Sequence, residues 1–435
     1  MNSKLKIADR KDSAKPTGAV LSCAVGFFFS FRIVVSLVSV RVFGTDARMG
    51  AELNLALSYC VLLVVAFCSF GEVRQTFGSM VRLWSIRWVL LFLVFSCCSL
   101  SWSSTESLSS AVAYWCGLAG DVAIVVLLLR ASGVSDVAIA LMQGFIWSSC
   151  CLALVAWVMP VQSDLRLGDE DFFNTNQIGY ACAFGFFLAQ YLQRNRTGNW
   201  SFALFFLGVT LLRSLSKTTI VTFLLSESFL LLQDRSIRRR TKLLLTFLAA
   251  ALVLGFWGLL KSYYEVYTHA GNQAETLTGR IGIWSYMLEA ALEQPWIGHG
   301  FNSVWKVVPP FGEFEAWHAE NELLQQFYAY GVVGICLLAG LYGSLYRQVR
   351  RLSQGPLKIF FSSMLLFVAV RGFAEAEPFD LLLPLWFIVL LSLLIERIRE
   401  EEVNAADARQ PIERESAFPF LQSAAPLQER RLCHG

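Results

Sequence analysis

Arg280 and His318 stand at the two ends of the one sizeable polar segment in an otherwise apolar chain, running from Thr278-Gly279-Arg280 to Trp317-His318-Ala319-Glu320-Asn321. An arginine binds an anion through a planar fork of donors, and a lysine does so as a point charge. A histidine, with an ordinary pKa of about 6.5, can take or orient a proton at neutral pH. Asn321 follows His318 by about one helical turn and Gln325 by a further turn, so the three can share a face. Arg213, Lys217 and Arg371 lie where apolar runs end. Anion binding joined to proton movement, at the place where this segment meets the bilayer, is the chemistry these residues suit.

The elements that must position them are membrane spans. The 435 residues are 55% hydrophobic and 16% charged, the composition of a polytopic membrane protein. A span needs roughly 20 apolar residues. About twelve candidates run near 18–40, 52–70, 88–104, 109–130, 137–159, 178–193, 199–214, 218–233, 243–260, 323–346, 359–376 and 379–396. The two short runs flanking Lys217 also suit one bent or re-entrant element. The first run is too long for a cleavable signal peptide and lacks a clear cleavage site. Residues 1–17 form an N-terminal tail, 18–396 the transmembrane domain, and 397–435 a polar tail that reads as a disordered extension.

Basic residues orient the spans, because loops rich in lysine and arginine resist translocation. Lys4, Lys6, Arg10, Lys11 and Lys15 precede the first span. Arg74, Arg82 and Arg87 follow the second, Arg194 and Arg196 the sixth, Arg235, Arg238, Arg239, Arg240 and Lys242 the eighth, and Arg347, Arg350, Arg351 and Lys358 the tenth. All fall on one side if both termini are cytoplasmic. The large polar loop, 261–320, is then extracytoplasmic.

Other classes are disfavoured by what the chain lacks. A net charge of +3 gives no footprint for nucleic acid, and the basic clusters read as topology signals that also meet lipid headgroups. The 11 cysteines lie almost all inside spans and none falls in the 261–320 loop, so they read as small apolar residues. The four histidines lack metal-ligand spacing, and no metal or cofactor is expected. No P-loop, dinucleotide fingerprint or internal repeat is present.

Within the loop, the stretch from Arg280 to Gln294 has helical periodicity. It places Trp284, Met287, Leu288, Ala291 and Leu292 on one face, with Ser285, Glu289 and Glu293 away from it. Pro295 ends this helix and Gly298-His299-Gly300 turns the chain. A helix lying along the membrane surface is the simplest structure. Arg280 then either serves a site or is merely solvated.

Several motifs together resemble one family. Thr278-Gly279-Arg280 with Trp284, then Pro295-Trp296-Ile297-Gly298-His299-Gly300, then His318-Ala319-Glu320-Asn321-Glu322-Leu323-Leu324, then Gly331 and Gly334, resemble the O-antigen ligase and O-antigen or exopolysaccharide polymerase family of bacterial membrane glycosyltransferases. Asn174-Thr175-Asn176 with Gly179, and Leu215-Ser216-Lys217-Thr218, echo two further segments, with lysine in place of the family's arginine. Many members show histidine where this chain has Glu320, so no second histidine is carried over.

The resemblance implies an all-α polytopic membrane protein of the integral-membrane glycosyltransferase (GT-C-like) architecture, with one large periplasmic loop, in the bacterial inner membrane. The implied donor is a glycan linked to undecaprenyl diphosphate. The implied acceptor is a sugar hydroxyl, on another lipid-linked repeat or on lipid A-core, and other polysaccharide export proteins are implied partners. Arg280, Lys217, Arg213 and Arg371 would clamp the diphosphate, where charge develops on the leaving oxygen. His318 would be base or orienting group for the attacking hydroxyl, and Asn321, Trp317 and Asn176 would meet the glycan. The plainer readings are that the cations snorkel or pair with Glu375 and Glu377, that Glu320 and Glu322 only cap a helix, and that the loop aromatics anchor at the interface. His299 and His269 are weaker candidates.

A transporter or flippase of polysaccharide intermediates is the rival reading, drawing on Arg32, Asp121 and Glu227 within spans. It would need a polar path and paired repeats with broken helices. The polar residues instead concentrate at one face. Polymerisation of repeat units is favoured over ligation to lipid A-core, because the Gly-His-Gly-Phe turn and the His-Ala-Glu-Asn segment look most like exopolysaccharide members.

Overall fold

A computed structural model describes residues 16–45, 47–71, 76–160, 167–168, 173–234, 238–255, 261, 277–305, 307–309, 318–377 and 379–407. The described residues are helical, without a strand. In order the helices are α1 (Pro16–Arg41), α2 (Ala47–Cys68), the single turn α3 (Phe77–Met80), α4 (Trp84–Ser99), α5 (Leu108–Ala131) and α6 (Val134–Val158). Then come α7 (Thr175–Arg194), α8 (Ser201–Ser214), α9 (Lys217–Gln233), α10 (Arg239–Gly255), α11 (Leu277–Glu293), α12 (Glu322–Arg351), α13 (Pro356–Arg371) and α14 (Leu385–Asp407).

Every apolar run in the sequence coincides with a helix. Five of them, within α1, α2, α5, α6 and α12, are long and apolar enough to cross a membrane by length and composition. The run pair around Lys217 is two helices. α8 ends at Ser214, Leu215 takes a left-handed φ of 65°, and α9 restarts at Lys217. The last helix continues past Glu396 to Asp407, where Arg397 pairs with Glu400 and Glu401 along its exposed face.

Packing follows the apolar pattern. α1 lies against α6, α7 against α8, α9 against α13, and α12 against α4 and α11. The core is dense in aromatics, with Phe187 meeting Phe223, Phe360 and Phe367. The charges that gave the transporter reading its support each find a partner within the fold. Arg32 of α1 makes a double hydrogen bond to Asp121 of α5, each at 2.5 Å, and its guanidinium lies 4.7 Å from the Phe28 ring. Glu227 accepts from Gln190 at 3.1 Å. Pairing of this kind offsets the cost of a charge within apolar surroundings.

A break in helix geometry ties the turn after α11 to α12. α12 is interrupted at Gly331, with φ 61° and ψ −152°, and the freed backbone bonds the turn after α11: Val332 N–H donates to Pro295 O at 2.8 Å. Opposite it, His299 N–H donates to Tyr328 O at 3.0 Å and Gly300 N–H to Ala329 O at 2.8 Å. A side chain at residue 331 would enter the Pro295 and Trp296 backbone, and its φ/ψ suits glycine alone. Gly331→Ala is expected to destabilise by about 3 kcal/mol or more. Thermal unfolding in detergent would show a lowered Tm with the α11 turn released first.

The face that α11 buries differs from the expected one. Ile283, Met287 and Ala291 are fully buried against Val304, Val308, Ala319 and Tyr328, whereas Leu288 and Leu292 are 46% and 59% exposed. The helix is apolar on two sides, so periodicity alone could not say which side meets protein. The outer side, with Ile281, Leu288 and Leu292, is exposed.

Candidate functional site

The first turn of α11, the first turn of α9, the start of α7, the 318–321 segment and the connector after α13 converge on one buried carboxylate, Glu375. Each contributes polar atoms because each is the end of an apolar helix, where side chains can leave the hydrocarbon. Glu375 is 3% exposed. Its Oε1 accepts from Asn176 Nδ2 at 2.8 Å and from Arg280 Nη2 at 3.2 Å, and its Oε2 lies 3.9 Å from Arg371 Nη2.

Arg280 is the most connected of the expected site residues. Nη1 donates to Ala374 O at 2.5 Å and approaches Thr218 Oγ1 at 3.5 Å, and Nη2 lies 3.3 Å from Glu320 Oε2. Its side chain is 14% exposed, so the merely solvated arginine is excluded. Arg371, at the end of α13, is 2% exposed. Nε donates to Thr219 Oγ1 at 3.4 Å, Nη1 faces Glu377 at 3.9 Å, and the guanidinium stacks 4.3 Å from the Tyr180 ring. The two guanidiniums are therefore fixed from opposite sides by Glu375 and two neighbouring threonines. Arginine forks brought together in this way can bind an oxyanion.

Asn176 joins this group from α7. Asn174 caps the helix, its side chain accepting from Gln177 N–H at 2.9 Å, which leaves Asn176 on the first turn facing inward. Asn176 Oδ1 accepts from Ser216 Oγ at 2.7 Å, and Ser216 Oγ also reaches Thr219 Oγ1 at 2.9 Å. Lys217 is the exposed first residue of α9, beside Thr218 and Thr219, while Arg213 is half-buried in the last turn of α8. The start of α9, with the positive end of its dipole, thus lies beside both guanidiniums.

His318 enters through Glu320. The His318 ring is partly exposed, and its Nδ1 accepts from Glu320 N–H at 3.3 Å and lies 3.7 Å from Glu320 Oε1. Asn321 caps α12, accepting from Leu324 N–H at 3.0 Å and donating Nδ2 to Phe373 O at 3.1 Å. Its role in this geometry is to hold the loop to the connector. Gln325 does the same, donating to Glu377 O and accepting from Ala319 N–H at 3.0 Å. The shared face of His318, Asn321 and Gln325 is thus replaced by a knot of loop contacts. Trp317, Phe311, Phe314 and His269 lie outside the described residues, and Trp305 is 40% exposed. His299 is buried, stacked 4.3 Å from Tyr328, with Nε2 bonded to Ala290 O at 2.9 Å. It is structural.

Three carboxylates matter more than the sequence suggested. Glu322 is not an exposed cap: it is 4% exposed, accepting from Tyr342 Oη at 2.9 Å and from Leu382 N–H at 2.8 Å, so it ties α12 to the connector. Glu375 organises both arginines. Burial pushes the Glu377 carboxyl above the usual carboxylate range, offset in part by Arg371 and His318.

Comparison with known proteins bears on the family. Residues 202–339, which include Arg213, Lys217, Arg280, His318 and Asn321, match the family model described as O-antigen ligase. The chain is 25% identical over 382 residues to the exopolysaccharide production protein ExoQ of Rhizobium meliloti (strain 1021), covering 80% of this chain and 83% of that protein. It is 26% identical over 193 residues to an O-antigen ligase of Pseudomonas aeruginosa, covering 43% of this chain and 44% of that one. The family resemblance read from the motifs is borne out, and with it a membrane enzyme of glycan processing.

Proposed function

We propose that this protein transfers an oligosaccharide from undecaprenyl diphosphate to a sugar hydroxyl at the periplasmic face of the inner membrane, and that it polymerises repeat units of an exported polysaccharide. The observation that carries this reading is the pairing of Arg280 and Arg371 across Glu375, with Lys217 and the start of α9 alongside. These cations supply the charge that a leaving diphosphate needs, in place of a metal ion. Arg213, at the end of α8, would extend the clamp. Asn176 and Asn321 hold site backbone and carboxylate in register and are placed to meet the glycan, with Trp317 expected on the same side. His318 acts on the attacking hydroxyl.

In this reading twelve helices span a GT-C-like membrane domain with both termini in the cytoplasm, and 261–320 folds over its outer opening. Direct displacement at the anomeric carbon inverts its configuration. Polymerisation is favoured over ligation because the relative covering most of the chain is named for exopolysaccharide production, while the O-antigen ligase covers less than half. Deletion followed by glycan sizing separates the two. Single repeat units still attached to their normal acceptor are expected. Long chains left on the lipid carrier would instead identify a ligase.

A further inference from the structure

The contacts around His318 assign roles that residue type alone leaves open. His318 Nδ1 accepts the Glu320 backbone N–H at 3.3 Å. A neutral imidazole has one donor and one acceptor nitrogen, so this bond assigns the ring proton to Nε2. Nε2 is a donor in the protonated ring as well. The lone pair that a base would use is already engaged. His318 is therefore built to hold a substrate oxygen, and a different group must take the proton of the attacking hydroxyl.

Glu320 is placed to do so. Its Oε1 lies 3.7 Å from His318 Nδ1 and its Oε2 lies 3.3 Å from Arg280 Nη2, so the carboxylate bridges the two residues expected to act on the substrate. The neighbouring carboxylates are committed elsewhere. Glu375 has Asn176, Arg280 and Arg371 around it and a side chain 4% exposed, Glu322 is bonded to Tyr342 and Leu382, and Glu377 faces Arg371. Glu320, at 16%, is more open than Glu375, while the more exposed Glu377, at 33%, faces Arg371. It also adopts a left-handed φ of 51°, a conformation that is strained for a non-glycine residue and must be held by its surroundings. Caps do not require such a backbone. The charged groups in contact with it are Arg280 from α11 and His318 from its own loop, and Arg280 is shared with Glu375 of the connector after α13.

Building on the transferase reading above, we propose that Glu320 is the general base of this protein and that His318 is a hydrogen-bond donor from Nε2. As the acceptor oxygen bonds to the anomeric carbon, the bond from that carbon to the diphosphate oxygen breaks. Its electron pair leaves on the diphosphate beside Arg280, and the hydroxyl proton passes to the Glu320 carboxylate.

The test compares Glu320→Gln, Glu320→Asp and His318→Gln in a purified assay with an oligosaccharide repeat on undecaprenyl diphosphate as donor and acceptor. Glu320→Gln is expected to lower transfer by about 100-fold or more, to bind the radiolabelled lipid-linked repeat as wild type does, and to lose the acid limb of the pH–rate profile. Glu320→Asp keeps a carboxylate and should keep the limb at a reduced rate, which decides the matter if Glu320→Gln fails to fold. His318→Gln should be slower with the limb intact. An acid limb that vanishes in His318→Gln and persists in Glu320→Gln or Glu320→Asp would overturn the assignment. So would loss of donor binding alone in Glu320→Gln, the signature of a residue that only positions Arg280. If wild type transfers nothing, the transferase reading falls instead.

Discussion

Arg280→Ala should lower glycan transfer by about 10²–10³-fold while the amount of folded protein in the membrane stays near normal. The change removes the guanidinium from Ala374 O, Thr218, Glu320 and Glu375. Glu375 nonetheless keeps Asn176 Nδ2 and the Arg371 guanidinium, so its buried charge is not left alone. The loss is therefore one of transition-state stabilisation more than of fold. Arg280→Lys restores charge without the fork and should recover only part of the rate. Paired measurements of transfer and of detergent-extracted, monodisperse protein check this. Equal loss of both would assign Arg280 a structural role.

Glu375→Ala should have the opposite profile. Its carboxylate is the shared partner of two guanidiniums, one of them 2% exposed, and of Asn176. Removing it leaves two cations facing each other out of water and opens a cavity where α7, α9, α11 and α13 meet. Breaking a buried ion pair from one side costs about 3–5 kcal/mol, a large share of the stability of an ordinary domain. A marked fall in thermal stability and in protein level is expected, with activity lost in proportion. Glu375→Gln keeps the shape and the acceptor for Asn176, and should recover much of the level but little of the rate.

The contrast between these residues also marks what could be read from the sequence. Arg280, Arg371, Lys217 and His318 were legible because polar residues at the ends of apolar runs are conspicuous in a chain this hydrophobic. The pairings were not. Glu375 lies 95 positions from Arg280 and Asp121 lies 89 from Arg32, and hydropathy does not say which helices are neighbours. Glu320 read as a helix cap because acids are favoured near a helix start. Only its left-handed backbone and its contacts to Arg280 and His318 set it apart. On α11, Met287 and Ala291 of the expected face are buried while Leu288 and Leu292 are exposed, because both sides of the helix are apolar. The interruption at Gly331 was visible only as a pair of glycines inside a long apolar run, since its purpose is to bond a turn some thirty residues upstream.

Transfer from a lipid diphosphate donor, with the charge supplied by arginine and lysine, is tested most directly by reconstituting the purified protein with the repeat linked to undecaprenyl diphosphate as the sole substrate. Products of two or more repeats on the lipid carrier, joined with inverted anomeric configuration and formed in the presence of a chelator, are the expected result. No elongation until a nucleotide sugar or a divalent ion is added would contradict it.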